Sequence, residues 1–589
     1  MGARARHGLS GGMLAGLVVA LLLALAVGGG HVGAQSGAPS PQDPDTPESL
    51  RAEAFEAAQW AIVSDAADAL AKVSARFAEG DDALGLLAEH REQLIQRRDA
   101  LEREVEGLYA QDTEAARERR RIMSRAYEQT LAELAEVDAR IEAEFPAFAE
   151  LTRPRALTVT ETQGLLNPDE ALLLVFVNPE ATYVWGVTSD RIEWARADGL
   201  GEEALAASVA KLRASLTTAG TRADPTLDPA LFAGRPVRAY DRAEAHRLYQ
   251  ALIQPVESVF EGRTTLITVV SGPLTTLPLA ALVTAPPVGE DTGPEALVTT
   301  EWLIDRYALA TLPSVSSLKA LRCHLATAAE RHAGCPPRLT PARDARRAAA
   351  PDRLPLIAFG APVLTGTPEP AARGAPDADG FLGPGKLADV EKLRALPDLP
   401  GARAELLALG RIYPKGVVRS GAAATETAVR QTDTDLLAEA RFVVFSTHGL
   451  MAGASFAEPG LVMTPPAEAT AEDDGYLTAS EAAQLRLSAD FVVLSACNTA
   501  ASDGRPGGQG LSGLARAFFH AGARSLLVSH WEVSDQATTA LITGTFAGLD
   551  RTPGNRAVAL QGAMREVRAD RRWQHPAYWA AFTLVGTPS

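Results

Sequence analysis

The sequence predicts an α/β fold in which a mostly parallel sheet is covered on both faces by helices. Three observations support this prediction. Continuous apolar runs such as FVVFS and FVVLS alternate with helix-like segments in the C-terminal part of the chain. A second α/β unit with the same alternation precedes it, and a helical segment rich in Ala, Leu, Glu and Arg precedes both. At roughly 100 to 200 residues per domain, a chain of 589 residues accommodates about three such units.

Residues 1–34 have the pattern of an export signal. Two arginines precede an apolar stretch from Met13 to Val27, and small residues follow it up to Ala34. We therefore expect cleavage near Gln35 and a periplasmic or extracellular mature protein. An apolar stretch of about 15 residues is short for a bilayer span, which needs roughly 20. The alternative is an uncleaved signal that anchors the chain to the membrane.

Two segments without strand-like apolar runs follow the predicted signal. Residues 35–49 are rich in Pro, Ser and acidic residues, which predicts a flexible linker. Residues 50–150 contain almost no Gly or Pro, and their apolar residues recur three or four apart. This spacing predicts an α-helical hairpin or coiled-coil segment. Its charged faces are expected at the solvent, and they are also the candidate surface for a partner protein.

The two α/β units are predicted at 155–335 and 353–589. The first contains the strand-like runs ALTVT, ALLLVFVN, ATYVWGVT and RIEWARA, with NPDE and NPEA as turns. Residues 336–352 are rich in Pro, Ala and Arg and predict a surface linker. The second unit alternates strands and helices from LPLIAFG to WAAFTLVG, as expected for a sheet covered on both faces.

Charge and composition narrow the classes of partner. The chain is 46% hydrophobic and 22% charged, as in ordinary soluble globular proteins. Its formal net charge is −17, without a Lys/Arg run, so the phosphate backbone of a nucleic acid would be repelled. We therefore do not expect a nucleic acid as a direct ligand.

Two strand-like segments end in reactive side chains. RFVVFSTHG, at 441–449, carries His448, and DFVVLSACNTA, at 490–500, carries Cys497. Because the carboxyl ends of parallel strands meet at one edge of the sheet, we expect these two side chains to emerge together. A thiol becomes a nucleophile as its thiolate, and a neighbouring imidazole assists that ionisation. His448 and Cys497 are therefore the predicted catalytic dyad.

Other residues at this edge have supporting roles in the prediction. Gly449 follows the histidine, so its N–H, together with that of Cys497, is the candidate oxyanion hole. His530 ends another strand at the same edge and is a rival base. The bulky Trp531 after it suits a pocket wall better than an oxyanion turn.

The chain has three cysteines. In an oxidising compartment Cys323 and Cys335 can form a disulfide bond across a turn, which would leave Cys497 as the free thiol. The alternative is three reduced thiols. The Cys and His residues between 323 and 335 fit no common zinc spacing, so we predict no metal site. A GxGxxG match at 508–513 begins about a dozen residues past its strand, so we predict a loop rather than a nucleotide cofactor.

At these residues the sequence resembles the CHAT domain family, caspase-like proteins that are often fused behind tetratricopeptide repeats. The resemblance extends over about 155–589 and is carried by LTVTETQGLLNPDEALLLVFV, SGPLTTLPLAALVT, FSTHGL, VVLSACNTA, GLSGLARAFFHAGARSLLVSHWEVSDQAT and HPAYWAAFTLVG. The segment 50–150 looks like the non-repeat stretch that precedes the domain in some members. No helical repeat can be aligned there.

The resemblance implies a caspase-like cysteine endopeptidase that acts on a protein or peptide substrate, with His448 at the HG position, Cys497 at the SAC position and no cofactor. In related peptidases an acidic residue of the primary specificity pocket selects Arg or Lys. Asp535, after HWEVS, is our candidate for that position, with His530 as a pocket wall. SACNT lacks the Gln-Ala-Cys-x-Gly pattern, so cleavage after Asp is not expected. The alternative is a catalytically silent scaffold that binds peptides or protein partners, with Cys497 as a buried structural thiol.

Overall fold

The structure is a computed structural model of the chain. It describes residues 46–62, 113–144, 156–216, 238–292, 295–325, 353–366, 378–381, 387–431, 434–450, 458–496, 499–500, 512–531, 534–552 and 554–589, together with single positions between 87 and 108 and Cys335. The predicted export signal lies outside these residues. Within the part described, no helix combines the length and the apolar character needed to cross a membrane.

The strands form one large sheet and one small sheet. They are β1 (Glu170–Val177), β2 (Ala181–Thr188), β3 (Ile192–Asp198), β4 (Thr265–Val270), β5 (Ala308–Thr311), β6 (Leu356–Gly360), β7 (Val417–Ser420), β8 (Phe442–Ser446), β9 (Gly449–Leu450), β10 (Gly460–Val462), β11 (Tyr476–Thr478), β12 (Phe491–Ser495), β13 (Ser525–Ser529) and β14 (Phe582–Gly586). The large sheet has 11 strands in the order β3-β2-β1-β4-β5-β14-β13-β12-β8-β6-β7, and β11-β10-β9 form the small one.

Helices cover both faces of the large sheet. The α-helices are α1 (Pro47–Ala61), α2 (Glu114–Glu144), α3 (Val159–Leu165), α4 (Glu202–Leu216), α5 (Arg242–Leu252), α6 (Leu303–Arg306), α7 (Val315–Leu325), α8 (Val390–Arg394), α9 (Pro400–Ile412), α10 (Glu426–Arg430), α11 (Thr434–Glu439), α12 (Ala479–Ala483), α13 (Gly513–Ala521), α14 (Asp535–Arg551), α15 (Arg556–Ala569) and α16 (Pro576–Trp579). Short 3-10 helices lie at Gln254–Phe260, Gly272–Thr276, Leu279–Ala281, Ala378–Phe381, Gly421–Ala423 and Arg571–Trp573.

The two predicted α/β units share the one large sheet. Strands β6, β7, β8, β12 and β13 run parallel to one another, and so do β1, β4, β5 and β14. Because β13 and β14 pair antiparallel, the two sets run in opposite directions. The predicted mostly parallel, helix-covered sheet is confirmed. The junction inside it, which we call the seam, lies where β14 is inserted between β5 and β13.

Side chains from both units pack around the seam. Trp302 and Trp579 meet edge to face, with ring centroids 5.1 Å apart. The Gln561 side-chain amide donates to the Ile304 carbonyl at 2.7 Å. By contrast, the backbone pairing of β14 with β5 consists of the single register pair Val585–Thr311, whereas five residue pairs join β14 to β13. Packing, more than strand pairing, therefore holds the two units together here.

Two predictions about the N-terminal segments need correction. Helix α1 begins at Pro47, after the N-cap Thr46, so the predicted linker 35–49 extends too far. Helix α1 also packs on the α/β body instead of belonging to a separate helical segment. The Phe55 ring meets Trp185 edge to face at 6.5 Å, and the Gln59 side chain makes two hydrogen bonds of 2.9 Å to the Leu157 backbone.

The remainder of the segment 50–150 is helical where the structure describes it. Among the individual positions that the structure describes between 87 and 108, the buried side chains are Leu87, Leu94 and Leu108. From one of these leucines to the next, the separation is seven or fourteen residues. In α2 the buried side chains include Thr130 and Val137, again seven apart. A seven-residue spacing is typical of coiled coils. The helical hairpin itself stays a prediction.

The run ALTVT, predicted as a strand, instead leads into α3, which begins at Val159 after the N-cap Thr158. The Thr158 hydroxyl accepts from the Glu161 N–H at 3.2 Å, and the Glu161 carboxylate accepts from the Thr158 N–H at 3.0 Å. This reciprocal capping satisfies N–H groups at the helix N-terminus. It outweighs the β-propensity of the Thr and Val side chains, which depends strongly on context.

A disulfide bond joins Cys323, on α7, to Cys335, with the Cα atoms 5.3 Å apart. The bond closes a loop with a sequence separation of 12 residues. We expect reduction, or the Cys335→Ser substitution, to lower the free energy of unfolding by about 3 kcal/mol, because the unfolded chain regains loop entropy. Urea unfolding followed by tryptophan fluorescence measures this change. A Cys497→Ser variant is the control and should respond to reductant as the wild type does. Equal midpoints with and without reductant would contradict the prediction.

Candidate active site

His448 lies just beyond the end of β8, beside the end of β12. These two strands are parallel neighbours whose last residues, Ser446 and Ser495, are register partners. The Thr447 N–H continues the ladder with a 3.2 Å hydrogen bond to the Ser495 carbonyl. His448 therefore follows one of these matched serines by two residues, and Cys497 follows the other by two. Cys497 itself lies outside the described residues.

A backbone carbonyl orients the His448 ring. The side chain is half-buried, and its Nε2 lies 2.8 Å from the Pro397 carbonyl oxygen. Because a carbonyl only accepts, Nε2 carries a proton, and the lone pair of the neutral imidazole is on Nδ1. This tautomer suits a ring that takes a proton through Nδ1. Sequence reasoning missed Pro397, since a backbone acceptor leaves no signal in side-chain patterns.

Gly449, the predicted oxyanion-hole residue, is buried and begins β9. It is the register partner of Leu461 on β10, and the Val462 N–H donates to the His448 carbonyl at 2.9 Å. Hydrogen-bonded and non-hydrogen-bonded pairs alternate along an antiparallel ladder. Gly449 and Leu461 therefore form a non-hydrogen-bonded pair, so the Gly449 N–H points away from β10. An oxyanion-hole donor needs such an orientation.

Ser529, the last residue of β13, holds the residues on either side of Cys497. Its carbonyl accepts from the Ala500 N–H at 2.8 Å, and its N–H donates to the Thr499 hydroxyl at 2.9 Å. Its hydroxyl donates to the Ala496 carbonyl at 2.5 Å. Three hydrogen bonds from one residue thus fix the chain at both ends of the Cys497 position. Sequence reasoning missed this role because a serine at a strand end is common.

A buried acid lies beside the same strand end. Glu405, on α9, is 1% exposed, and its carboxylate accepts from the Ser495 hydroxyl at 2.9 Å. Burying a carboxylate is costly unless it is hydrogen-bonded. Helix α9 thus contacts the end of β12, and the segment just before this helix supplies Pro397 to His448. No sequence signal singled out Glu405.

His530, the predicted pocket wall and rival base, directly follows β13. It is buried, and its Nε2 lies 3.0 Å from the Thr583 hydroxyl. Burial, together with the positive charge of Arg213, lowers the pKa of His530 to about 3. The ring is therefore neutral at physiological pH and is a weak proton acceptor. These properties favour a wall over the rival role of catalytic base.

Asp535 is the first residue of α14, and Ser534 is the N-cap. The aspartate thus belongs to the first helical turn, where a negative charge stabilises the helix dipole. The Asp535 side chain lies outside the described residues. Among the His, Cys, Asp and Glu side chains within the described ranges, no group of three or more could hold a metal ion.

Comparisons with known proteins agree with the sequence resemblance. The family model of the CHAT domain matches residues 242–587. The chain is similar to tetratricopeptide repeat protein 28 from Mus musculus, with 39% identity over 112 residues, which are 19% of this chain and 4% of that protein. The human protein of the same name is 35% identical over 112 residues, again 4% of its length. The chain thus spans only a small part of these relatives.

Two groups of solved structures are also similar to this chain. The Porphyromonas gingivalis RgpB pro- and mature domains are 13% identical, with a TM-score of 0.32, covering 66% of this chain and 76% of that one. The Saccharomyces cerevisiae separase in its complex with securin is 10% identical, with a TM-score of 0.36, covering 72% of this chain and 30% of that one. The family model spans more than half of the chain and includes His448, Gly449 and Cys497. The chain therefore belongs to the CHAT domain family.

Proposed function

We propose that the protein is an exported, caspase-like cysteine endopeptidase in which Cys497 is the nucleophile and His448 the general acid and base. One observation carries the proposal: the Pro397 carbonyl holds the His448 ring through Nε2 at the end of a strand that is in register with the strand leading to Cys497. The ring is thus oriented at one of the two strand ends that flank β12, the strand that leads to Cys497.

The proposed reaction begins with proton transfer. The Cys497 thiol gives its proton to Nδ1 of His448, and the thiolate attacks the carbonyl carbon of the peptide bond. The N–H groups of Gly449 and Cys497 donate to the oxyanion that forms. As the carbon–nitrogen bond breaks, the His448 imidazolium gives its proton to the leaving amine. A water molecule then loses a proton to His448 and attacks the thioester carbon. The carbon–sulfur bond breaks, the carboxylic acid leaves, and the His448 imidazolium returns its proton to the Cys497 sulfur.

The imidazolium intermediate explains why a carbonyl partner is useful. When Nδ1 is protonated, both ring nitrogens donate, and the Pro397 oxygen stays an acceptor at 2.8 Å. A hydrogen bond with one ionised partner is stronger than a neutral one. The contact therefore stabilises the charged ring that forms during the reaction without requiring a carboxylate at this position.

For substrate selection, we propose a basic residue on the acyl side of the cleaved bond, bound by the carboxylate of Asp535. The mature domain is acidic, and Asp535 begins α14, the helix that follows β13 in the chain. A carboxylate and a guanidinium form a charge-assisted pair. The neutral ring of His530, which directly follows β13, would supply a wall and no repulsion.

A peptide library with varied residues at the cleaved position tests the function directly. We expect the purified mature chain to cleave after Arg and Lys, and a peptide with a thiol-reactive group to label Cys497, as seen by mass spectrometry of the tryptic digest. The matched control is the same peptide with an acidic residue at that position, which should label more slowly. A chain that binds such peptides, cleaves none and leaves Cys497 unlabelled would support the scaffold alternative instead.

Export is proposed on the Arg-flanked apolar run of residues 1–34. We expect the intact mass of protein from its native host to correspond to a chain that starts near Gln35. A mass that includes residues 1–34 in a membrane fraction would indicate the uncleaved anchor. Full-length protein in the cytosol would contradict export.

A further inference from the structure

A cavity of about 350 Å³ opens at the seam of the large sheet. Residues from both units line it, among them Thr268 and Thr311 from the first unit and Val528 and Thr583 from the second. It also contacts both hydrophobic cores: Leu560 belongs to the core on one face of the sheet, and the side chains of Val528 and Val585 belong to the core on the other. The cavity therefore lies where β14 and β5 share a single register pair.

The wall of this cavity carries no charge within the described residues. Its lining contains no Asp, Glu, Lys or Arg side chain there. Its polar groups already have protein partners: the hydroxyls of Thr268 and Thr311 lie 3.0 Å apart, and the Thr583 hydroxyl lies 3.0 Å from His530 Nε2. An ionised ligand would lose its hydration without a counter-ion among the lining side chains, which costs far more than transferring an apolar group.

We propose that this cavity binds an uncharged, largely apolar small molecule. Its volume, about 350 Å³, falls within the range of roughly 300 to 1,000 Å³ that is usual for small-molecule sites. The lining is mainly aliphatic, with Leu279, Ile304, Leu560 and Met564 among its side chains. The satisfied hydroxyls are able to accept or donate one further hydrogen bond to a single alcohol or carbonyl group of the ligand.

This cavity adjoins the proposed specificity pocket, because His530 lines the cavity and is also the proposed wall of that pocket. Strands β14 and β12 are separated by β13, so they lie about 10 Å apart at the usual spacing of neighbouring strands. Most of the cavity lining comes from β4, β5, β14 and the elements packed on them, on the side of β13 that faces away from β12. The ligand that we propose for this cavity is a molecule other than the peptide substrate.

The cavity and the candidate active site share a structural connection. Ala500 and His530 both line the cavity. Ser529, which precedes His530, bonds to Ala496, Thr499 and Ala500 around the Cys497 position. A bound ligand that restrains this wall would thus also restrain the residues on both sides of Cys497.

Fluorescence of 6-propionyl-2-(dimethylamino)naphthalene, a neutral probe, tests the proposal on the full mature chain. We expect saturable binding to a single site, with blue-shifted emission. Decanol should displace the probe, whereas decanoate, which has the same chain length and a charge, should be weaker by about tenfold or more. Displacement by decanoate as strong as by decanol, or non-saturable binding, would overturn the proposal.

Two cavity-filling variants locate the site. Ala280→Leu and Leu560→Trp add volume to the lining, and each should weaken probe binding by about tenfold. Val288→Ser is the control, because Val288 is 78% exposed and does not line the cavity. Wild-type affinity in both filled variants would reject the site. If circular dichroism shows that a filled variant does not fold, the comparison of decanol with decanoate on the wild type tests the proposal instead. Because binding is measured without peptide cleavage, its outcome is independent of the proposed peptidase activity.

Discussion

Replacing Cys497 with alanine is expected to lower kcat/KM for peptide cleavage by at least about a thousandfold, because it removes the only proposed nucleophile. His448→Ala should cause a loss of similar size, because the thiol would have no partner for proton transfer. The double variant should be hardly worse than either single one, as for groups that act as a unit. Steady-state kinetics on the best peptide of the library, together with thermal unfolding of each variant, gives these values.

His520→Ala is the matched histidine control for this experiment. His520 also contacts a backbone carbonyl, that of Ala483, with Nδ1 at 3.3 Å, but it lies on α13 before the start of β13, at the opposite edge of the sheet. We expect this variant to retain its activity. An inactive His530→Ala variant beside an active His448→Ala variant would show that the base is assigned wrongly.

Asp535→Asn is expected to reduce cleavage after Arg and Lys by about ten- to a hundredfold, with little change in cleavage after uncharged residues. The physical reason is the loss of a charge-assisted hydrogen bond, which contributes about 1.5 to 3 kcal/mol. The ratio of kcat/KM values for paired peptides with Arg or Gln at the cleaved position measures this selectivity directly, because effects on the shared chemistry cancel.

The structural alternative for Asp535 is stabilisation of α14 through the helix dipole. Glu202→Gln is a matched control, because Glu202 is likewise the first residue of a helix, α4. Both substitutions should lower thermal stability slightly and equally, by about 0.3 to 1 kcal/mol. Only Asp535→Asn should change the Arg-to-Gln ratio. An unchanged ratio, or a wild type that prefers small or acidic residues, would leave Asp535 with the helix role alone.

Much of the strand and helix order is predictable because the relevant signals are local. The runs FVVFS and FVVLS are buried throughout, as expected for parallel strands covered on both faces. Since side chains that follow such strands come out at one edge, the sequence alone predicts that His448 and Cys497 lie close together. The strand prediction for ALTVT is wrong for a local reason too, because the cap formed by Thr158 and Glu161 outweighs β-propensity there.

The contacts that orient the candidate site are not predictable in this way. Pro397 is 51 residues from His448 in sequence, and Ser529 is 33 residues from Ala496. Neither contact involves a characteristic residue spacing. A backbone carbonyl and a strand-end serine acquire their roles only through the neighbours that folding brings to them, and a single sequence records no such neighbours.

The sequence by itself determined which segments become strands and helices of an α/β sheet, and which two reactive side chains follow neighbouring strands. Only the tertiary structure decided that the two units form one sheet, that this sheet contains two sets of parallel strands running in opposite directions, and that a cavity opens where the units meet. The physical reason is that an apolar strand can pair with many edges at similar cost. The insertion of β14 between β5 and β13 depends on packing between residues that are distant in sequence, such as Trp302 and Trp579. No local sequence pattern encodes that packing.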